Sequence, residues 1–477
     1  MSAAFELDSR ARNLEQLGRD TFDLLIIGGG INGAGIARDL ALRAEVAGRP
    51  LRIALIDKAH FSSGTSGRNS QLIHGGLRYL KNFELDLVRE ALHERATLLR
   101  IAPHLVDPLP LILPFYSRLD RFYYGAGLFL YDLLAGEYDM GGHRYLSRAQ
   151  LAAVEPGMAG DGLHSAAIFH DCRVHSARLL LENIFAAARS GAVIANYVEA
   201  GAPRGVEGSF TVPATDRLGG RTFEIRARRI VDARGPWVGG PNLRLVRGSH
   251  IIVPRATASE NAVAYFGPDG RIIFVIPWGP DKSLSLVGTT DIDHSSTPDD
   301  VRISPDEIAY LRNVLKRLFP SGGEFEPLAA YSSLRPLVAT PGANATDTSR
   351  SHKITLNEGV LEISGGKYTT YRAMAEEAVD LLYPEWTGAC RTAEIPLGPG
   401  PEEAARLAAP VAWAVNHEMA QRLSDVMFIS TYLGHERTLT RDYLRPIAAE
   451  IAALLRWDEP RIQQEIEAAL AKARVPG

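Results

Sequence analysis

Short continuous apolar runs and amphipathic stripes divide the chain. Residues 22–27 form an apolar run interrupted only by Asp23, the pattern of a buried parallel strand. A glycine-rich turn at 28–35 follows, and 36–46 reads as a helix. Residues 51–56 form a second buried run that ends at Asp57. Joined by a right-handed crossover, these pieces make a βαβ unit. A charged amphipathic helix spans 83–101, stopped by Pro103, and 109–114 is extended or a strand. Residues 175–190 read as a helix and 192–199 as a strand, with two further strands at 221–226 and 228–233. The runs 272–276 and 284–287 flank Trp278-Gly279-Pro280-Asp281, which predicts a hairpin. Residues 305–318 are a helix, 354–356 and 360–364 strands, and 369–382 a helix. Everything beyond residue 400 follows a helical pattern.

Composition narrows the classes. At roughly 150 residues per domain, 477 residues suit two or three domains. Lys+Arg total 52 against Asp+Glu 56, a net charge of −4, which removes proteins that coat nucleic acid. Two cysteines, Cys172 and Cys390, suit a reducing compartment and exclude a cysteine-rich zinc site; no metal centre is expected. The first twenty residues hold no apolar signal core, and no run approaches the roughly 18 residues of a membrane span. The expected location is the cytoplasm, with peripheral contact at the inner face of the cell membrane left open.

The candidate chemistry begins at the first turn. Gly28, Gly30 and Gly33 form G-x-G-x-x-G, placed after a strand and at the start of a helix. Gly28 permits the tight turn, Gly30 lets a pyrophosphate approach the backbone, and Gly33 lets helix pack on sheet. Ile31 and Asn32 stand at the helix N-terminus, whose positive dipole end favours phosphate. Asp57 suits the hydroxyls of an unphosphorylated adenosine ribose, with Lys58 beside it. The stretch 62–70 is small and polar, with Thr65, Ser66, Asn69 and Ser70 offering hydroxyls and amides to wrap a pyrophosphate and flavin; a plain surface loop has the same composition. His74, Gly75 and Gly76 follow, in a segment dense with functional side chains.

Several stretches together give a resemblance: IIGGGINGAGIARD (26–39), SSGTSGRNSQLIHGGLRYL (62–80), DCRVHSARLLLEN (171–183), IPWGPDKSLSLVGTTD (276–291), YSSLRPLV (331–338) and SGGKYTTYRAMAE (364–376). The chain resembles the FAD-dependent, quinone-linked glycerol-3-phosphate dehydrogenases, within the glycine oxidase and D-amino acid oxidase group. The resemblance implies an α/β fold: a Rossmann-like FAD-binding domain of the glutathione reductase type, an inserted, mainly antiparallel α+β substrate domain and a helical C-terminal region. The expected limits are 20–80 with 155–240 and 350–385 for FAD, 81–154 with 241–349 for substrate, and 390–477 for the helical region. The implied reaction takes hydride from C2 of sn-glycerol 3-phosphate to FAD, gives dihydroxyacetone phosphate, and passes electrons to a quinone. An oxygen-dependent oxidase, a flavin oxidase of another small hydroxy or amino acid, and a flavin-binding protein without turnover are the alternatives.

A phosphorylated alcohol needs a base for the hydroxyl proton and several cations for the phosphate. Arg78, Arg335, Arg350 and Lys367 are the candidate cations, with Tyr79 beside the first; the resemblance puts Arg335 and Lys367 at the flavin's substrate face. Gly365, Lys367, Tyr368 and Thr369 open a helix near the flavin, where a cation and N–H groups favour its reduced, anionic form. His250 and His74 are the candidate bases, His250 first; Arg335 joins them as a catalytic candidate. Thr289 and Asp291 are expected to act in support. The chain departs from the family pattern at Gln71, where a lysine is usual, at His175-Ser176, where an acidic pair is usual, and at Arg234, where a small residue is usual. The basic-flanked aromatic segment from Arg118 to Leu130 fits either a membrane surface or a covering core helix. A homodimer is the remaining candidate partner.

Overall fold

In the computed structural model, residues 5–82, 84–158, 162–240, 243–338, 351–398 and 403–476 are described, the side chains of 78, 81 and 82 excepted. Two sheets carry the chain. The first has nine strands, with a spine running His352–Asn357, Val360–Gly365, Thr222–Asp232, Thr21–Ile27, Ile53–Ile56, Val193–Ala195. Neighbours from Val360–Gly365 onward are parallel, and only the edge strand His352–Asn357 runs antiparallel. Helices Ile31–Val46, Ser176–Arg189 and Tyr371–Leu382 share one core beside this sheet, and helix Ser9–Arg19 sets Leu14 and Leu17 into another with its strands. Covering on both faces explains the continuous apolar run Leu24 to Ile27 within Thr21–Ile27.

Two strand readings are corrected. Residues 221–226 and 228–233 are one strand, Thr222–Asp232: Ile225 and Ala227 turn inward while Arg226 and Arg228 turn outward, so the period of two is unbroken. Residues 192–199 break at Tyr197, whose φ is +55°. Val193–Ala195 stays in the spine, while Val198–Ala200 pairs with Ser209–Asp216.

The second sheet has ten strands. Its main path is Ile292–Asp293, Leu243–Pro254, Leu284–Gly288, Ile272–Trp278, Ala262–Phe266, Val106–Phe115, Ser165–Val174, Leu72–Ile73. Ala329–Val338 also pairs along Leu243–Pro254. All of these pairings are antiparallel except Val106–Phe115 with Ala262–Phe266. The 272–278 and 284–288 strands form the expected hairpin. Leu72–Ile73 and Ser165–Val174, both expected with the FAD-binding segments, instead belong here, because Ser165–Val174 pairs with Val106–Phe115 over its whole length. Pro108, Pro110 and Pro114 occupy alternate positions of Val106–Phe115, so one side of the strand alone loses donors.

Helices Glu403–Ala408, Pro410–His417, Arg441–Leu455 and Glu459–Ala473 follow, most of them around a core of their own. Helix Arg118–Ala135 buries Leu128, Tyr131 and Ala135 but turns a second apolar face outward, with Phe122 79% and Phe129 66% exposed. Among the described residues no helix is long and apolar enough to cross a membrane.

Candidate active site

The glycine loop is shaped by what its residues lack. Gly28 has φ +116°, and a Cβ there would lie 2.5 Å from the Ala233 carbonyl oxygen. A Cβ on Gly33 would meet the Gly28 carbonyl oxygen at 2.0 Å, so Gly33 lets the helix close on the strand without itself lining the cavity. Gly30 opens to the cavity, with Ser66 Oγ its nearest neighbour at 3.4 Å. The Ile31 N–H donates to Ser66 Oγ (2.9 Å). Helix Ile31–Val46 starts here with no side-chain cap, leaving further N–H groups for a ligand.

Asp57 ties this loop to the second strand. Its carboxylate accepts from the Gly29 N–H (2.7 Å) and the Ala59 N–H (2.8 Å), and burial raises its pKa to about 6. Lone pairs remain on both oxygens for ribose hydroxyls. The Lys58 ammonium is taken up at the rim, paired with Asp299 at 2.8 Å and 4.6 Å above the Trp237 ring.

From this loop a cavity of about 750 Å³ extends between the two sheets. The segment 62–70 is one of its walls and is bolted to strand Ala329–Val338. Thr65 Oγ1 donates to the Leu334 carbonyl (2.5 Å), Tyr331 OH to the Asn69 carbonyl (2.7 Å) and Ser333 Oγ to the Arg68 carbonyl (2.6 Å). Further along, Thr369 Oγ1 brackets the His74 backbone, accepting from its N–H (3.2 Å) and donating to its carbonyl (3.3 Å). Gly365 and Gly366, with φ +73° and +82°, make the turn before Lys367. The Lys367 ammonium donates to the Gly75 and Leu87 carbonyls (3.4 Å each) and lies 3.9 Å from the centre of the Tyr79 ring. Gly75 itself stands behind the wall: its N–H donates to Tyr131 OH (2.8 Å), which binds Asp171, which pairs with Arg95 at 2.9 Å.

Arg335 lines the cavity and is held by Thr289 Oγ1 (2.5 Å), the Thr290 carbonyl (3.1 Å) and Asp291 (2.7 Å). The supporting role expected of Thr289 and Asp291 is thus the anchoring of one arginine. His250 is buried, receives or gives a hydrogen bond at Ser70 Oγ (2.9 Å) through Nε2, and stacks on Tyr331 at 5.0 Å. Burial, then the charge of Arg335, pulls its pKa down to about 3, and its Nδ1 has no hydrogen-bond partner. His250 is therefore a neutral group at physiological pH and a weak base.

The cavity brings together Gly28, Gly30, Ile31, Asn32, Asp57, Lys58, Thr65, Ser66, Asn69, Ser70, His74, Gly76, Tyr79, His250, Arg335, Gly365, Lys367, Tyr368 and Thr369. Arg350 and the Arg78 side chain lie outside the described residues. Phe274, Trp237, Arg68 and Lys472 also line it and escaped the sequence reading; Phe274 had the look of a core residue, and Lys472 is one cation among many in a helical tail. Two departures from the family pattern meet each other. Gln71 Oε1 accepts from the N–H and the hydroxyl of Ser176 (2.9 Å each), so a neutral pair stands where a lysine and an acid are usual. Arg234 folds back on Asp232 in a two-pronged contact (2.8 and 2.6 Å). Among the described residues no cluster of His, Cys, Asp or Glu is arranged for a metal.

The glycine cradle, the uncapped helix N-terminus and the long, mixed wall fit a flavin dinucleotide. Comparison with known proteins agrees. Residues 23–381 match the family described as FAD dependent oxidoreductase. D-erythritol 1-phosphate dehydrogenase of Brucella abortus is 37% identical, over 89% of this chain and 84% of that protein. The mouse mitochondrial glycerol-3-phosphate dehydrogenase is 37% identical over 75% of this chain, which spans only 52% of that longer protein. A solved glycerol-3-phosphate dehydrogenase from Bacillus halodurans, complexed with FAD, superposes with a TM-score of 0.77 and 25% identity, covering 98% of each chain. The chain belongs to the FAD dependent oxidoreductase family, in the group that holds the glycerol-3-phosphate dehydrogenases.

Proposed function

We propose that this protein oxidises the secondary alcohol of a short phosphorylated polyol, glycerol 3-phosphate first among them, to the ketone. FAD, when bound, accepts the hydride. The observation that carries the reading is the gathering of Lys367, Arg335, Tyr79 and His74 along the cavity that begins at the glycine loop. His74, whose backbone Thr369 fixes at the cavity wall, takes the hydroxyl proton, whereas burial leaves His250 too weak a base to do so. Arg335 and Lys367 bind the phosphate, each steadied by neighbours that fix its direction. D-erythritol 1-phosphate is the second reading, favoured by the 84% coverage of the Brucella protein; both substrates share the phosphate and a secondary hydroxyl.

The test is steady-state turnover with each phosphate and with the bare polyols, a quinone analogue and oxygen being compared as acceptors. The reading expects kcat/KM to fall at least about a thousandfold without the phosphate, the loss of two or more charge-assisted contacts. Equal rates with glycerol would overturn it. For the electron acceptor, we propose a quinone reached at a lipid surface on which the outward face of Arg118–Ala135 rests, with Arg118 and Arg121 at the headgroups. Sedimentation with anionic vesicles that a Phe122→Glu, Phe129→Glu variant retains would refute that contact.

A further inference from the structure

Two cations reach the cavity from distant parts of the chain. Arg68 belongs to the wall segment that Ser333 holds by the Arg68 carbonyl. Lys472 lies in the last turn of the C-terminal helix Glu459–Ala473. Both line the cavity. Neither head group has a hydrogen-bond or ion-pair partner among the described residues; Lys472 Nζ only sits 5.1 Å from the centre of the Phe428 ring. The one carboxylate close enough to raise the Lys472 pKa, Asp425, is already committed. It accepts from Tyr197 OH (2.7 Å) and from the N–H groups of Gln421 and Arg422 (3.0 Å each). Two cations facing one cavity, with no carboxylate among the described residues free to pair with them, are unfavourable until an anion joins them, and the charge of Arg68 lowers the proton affinity of Lys472. Partial desolvation at the cavity wall, then the charge of Arg68, pulls Lys472 down to about 7, so an arriving anion would also restore its full charge.

We propose that Arg68 and Lys472 together bind a phosphoryl group in the cavity, so that the C-terminal helix completes the cofactor site. The inference rests on the reading of the cavity as the FAD and phosphopolyol site. Two ligands there carry phosphate: the dinucleotide and the substrate. The position favours the dinucleotide, since Arg68 follows Ser66 by two residues and Ser66 Oγ meets the helix N-terminus at Ile31. The pair would then close on the diphosphate opposite the glycine loop. The helical tail is on this account part of the binding site, although the family match ends at residue 381.

The experiment titrates FAD into apoprotein, followed by flavin fluorescence, for wild type, Lys472→Gln and Lys472→Arg, and then measures KM for glycerol 3-phosphate at saturating FAD. Lys472 lies at the accessible end of its helix, so these changes leave the fold intact, and thermal melting of the apoproteins verifies it. Lys472→Gln should weaken FAD by about tenfold or more, the scale of one hydrogen bond between charged groups, with Lys472→Arg close to wild type. A rise of that size in KM, with FAD affinity unchanged, assigns the pair to the substrate phosphate instead. Both constants within about twofold of wild type overturn the proposal, as does a loss that Lys472→Arg shares, because then charge is not the cause. A wild-type chain that takes up no FAD contradicts the functional reading itself, and is seen in the same titration.

Discussion

The two walls of the cavity are made by opposite means. The glycine loop is a wall of backbone, in which Gly28 and Gly33 stand where any side chain would strike a carbonyl oxygen. The opposite wall, where segment 65–76 meets strand Ala329–Val338 and the C-terminal region, is backed by buried polar side chains: His250 on Ser70 at the cavity itself and, behind the lining, Gln71 on Ser176, His175 stacked on Tyr432 at 4.2 Å, and Tyr432 OH in contact with Gly67. The first wall tolerates no added atom at Gly28 or Gly33, and the second no added charge. The first side thus offers main-chain donors that need no tuning, and the second rests on side chains whose charge is set by burial.

The sharpest way to break the first wall is Gly33→Val. Its Cβ has nowhere to go at 2.0 Å from a main-chain oxygen, so FAD binding should be lost in a fluorescence titration. Gly30→Ala, which meets only a hydroxyl at 3.4 Å, should keep FAD within about tenfold. If both behaved alike, the steric account of the loop would fall.

The second wall should yield to charge. Gln71→Lys buries an ammonium with no acid to receive it and should cost about 3 kcal/mol or more in urea unfolding. Adding Ser176→Asp supplies the missing partner, and the double variant should recover most of that loss. A double variant no better than the single one would show that the two departures are not coupled.

The smallest single effect is the share of one ring in the acid response of this wall. Burial lowers the pKa of His175, His250 and His435 from 6.5 to about 3 each. A histidine held neutral in the fold binds its proton more readily when unfolded. Its contribution is therefore complete above pH 6.5 and is lost as pH falls toward 3, by about 1.4 kcal/mol per pH unit for each ring. Unfolding midpoints should drop steeply between pH 6.5 and 5, and His435→Phe, packed among Tyr331, Phe428 and Tyr432, should flatten the slope by about a third. An unchanged slope would mean that His435 is not held neutral.

The contrast between the walls is also the contrast between what the sequence revealed and what it hid. The glycine loop is local: strand, turn, helix and Asp57 lie within forty residues, and each glycine has its reason in the turn itself. Helix Pro305–Leu318 was equally legible, because Ser304 and Glu307 cap each other at its start. The second wall is assembled from segments hundreds of residues apart. No periodicity shows that Gln71 meets Ser176, that Asp291 anchors Arg335, or that Ser165–Val174 leaves the parallel sheet for Val106–Phe115. The three prolines of that last strand lowered its strand signal, although one edge of it alone pays for them. His250 was the leading base on residue type, and only its burial shows that it is a poor one.

The central claim is that this cavity moves a hydride from a phosphorylated polyol to FAD. Anaerobic mixing of the yellow holoprotein with glycerol 3-phosphate, followed at the flavin absorbance, tests it directly. The account predicts bleaching by glycerol 3-phosphate or D-erythritol 1-phosphate, slowed roughly a hundredfold in Arg335→Ala with FAD still bound. A flavin that stays oxidised with both phosphates, or that glycine or a D-amino acid bleaches equally well, would contradict it.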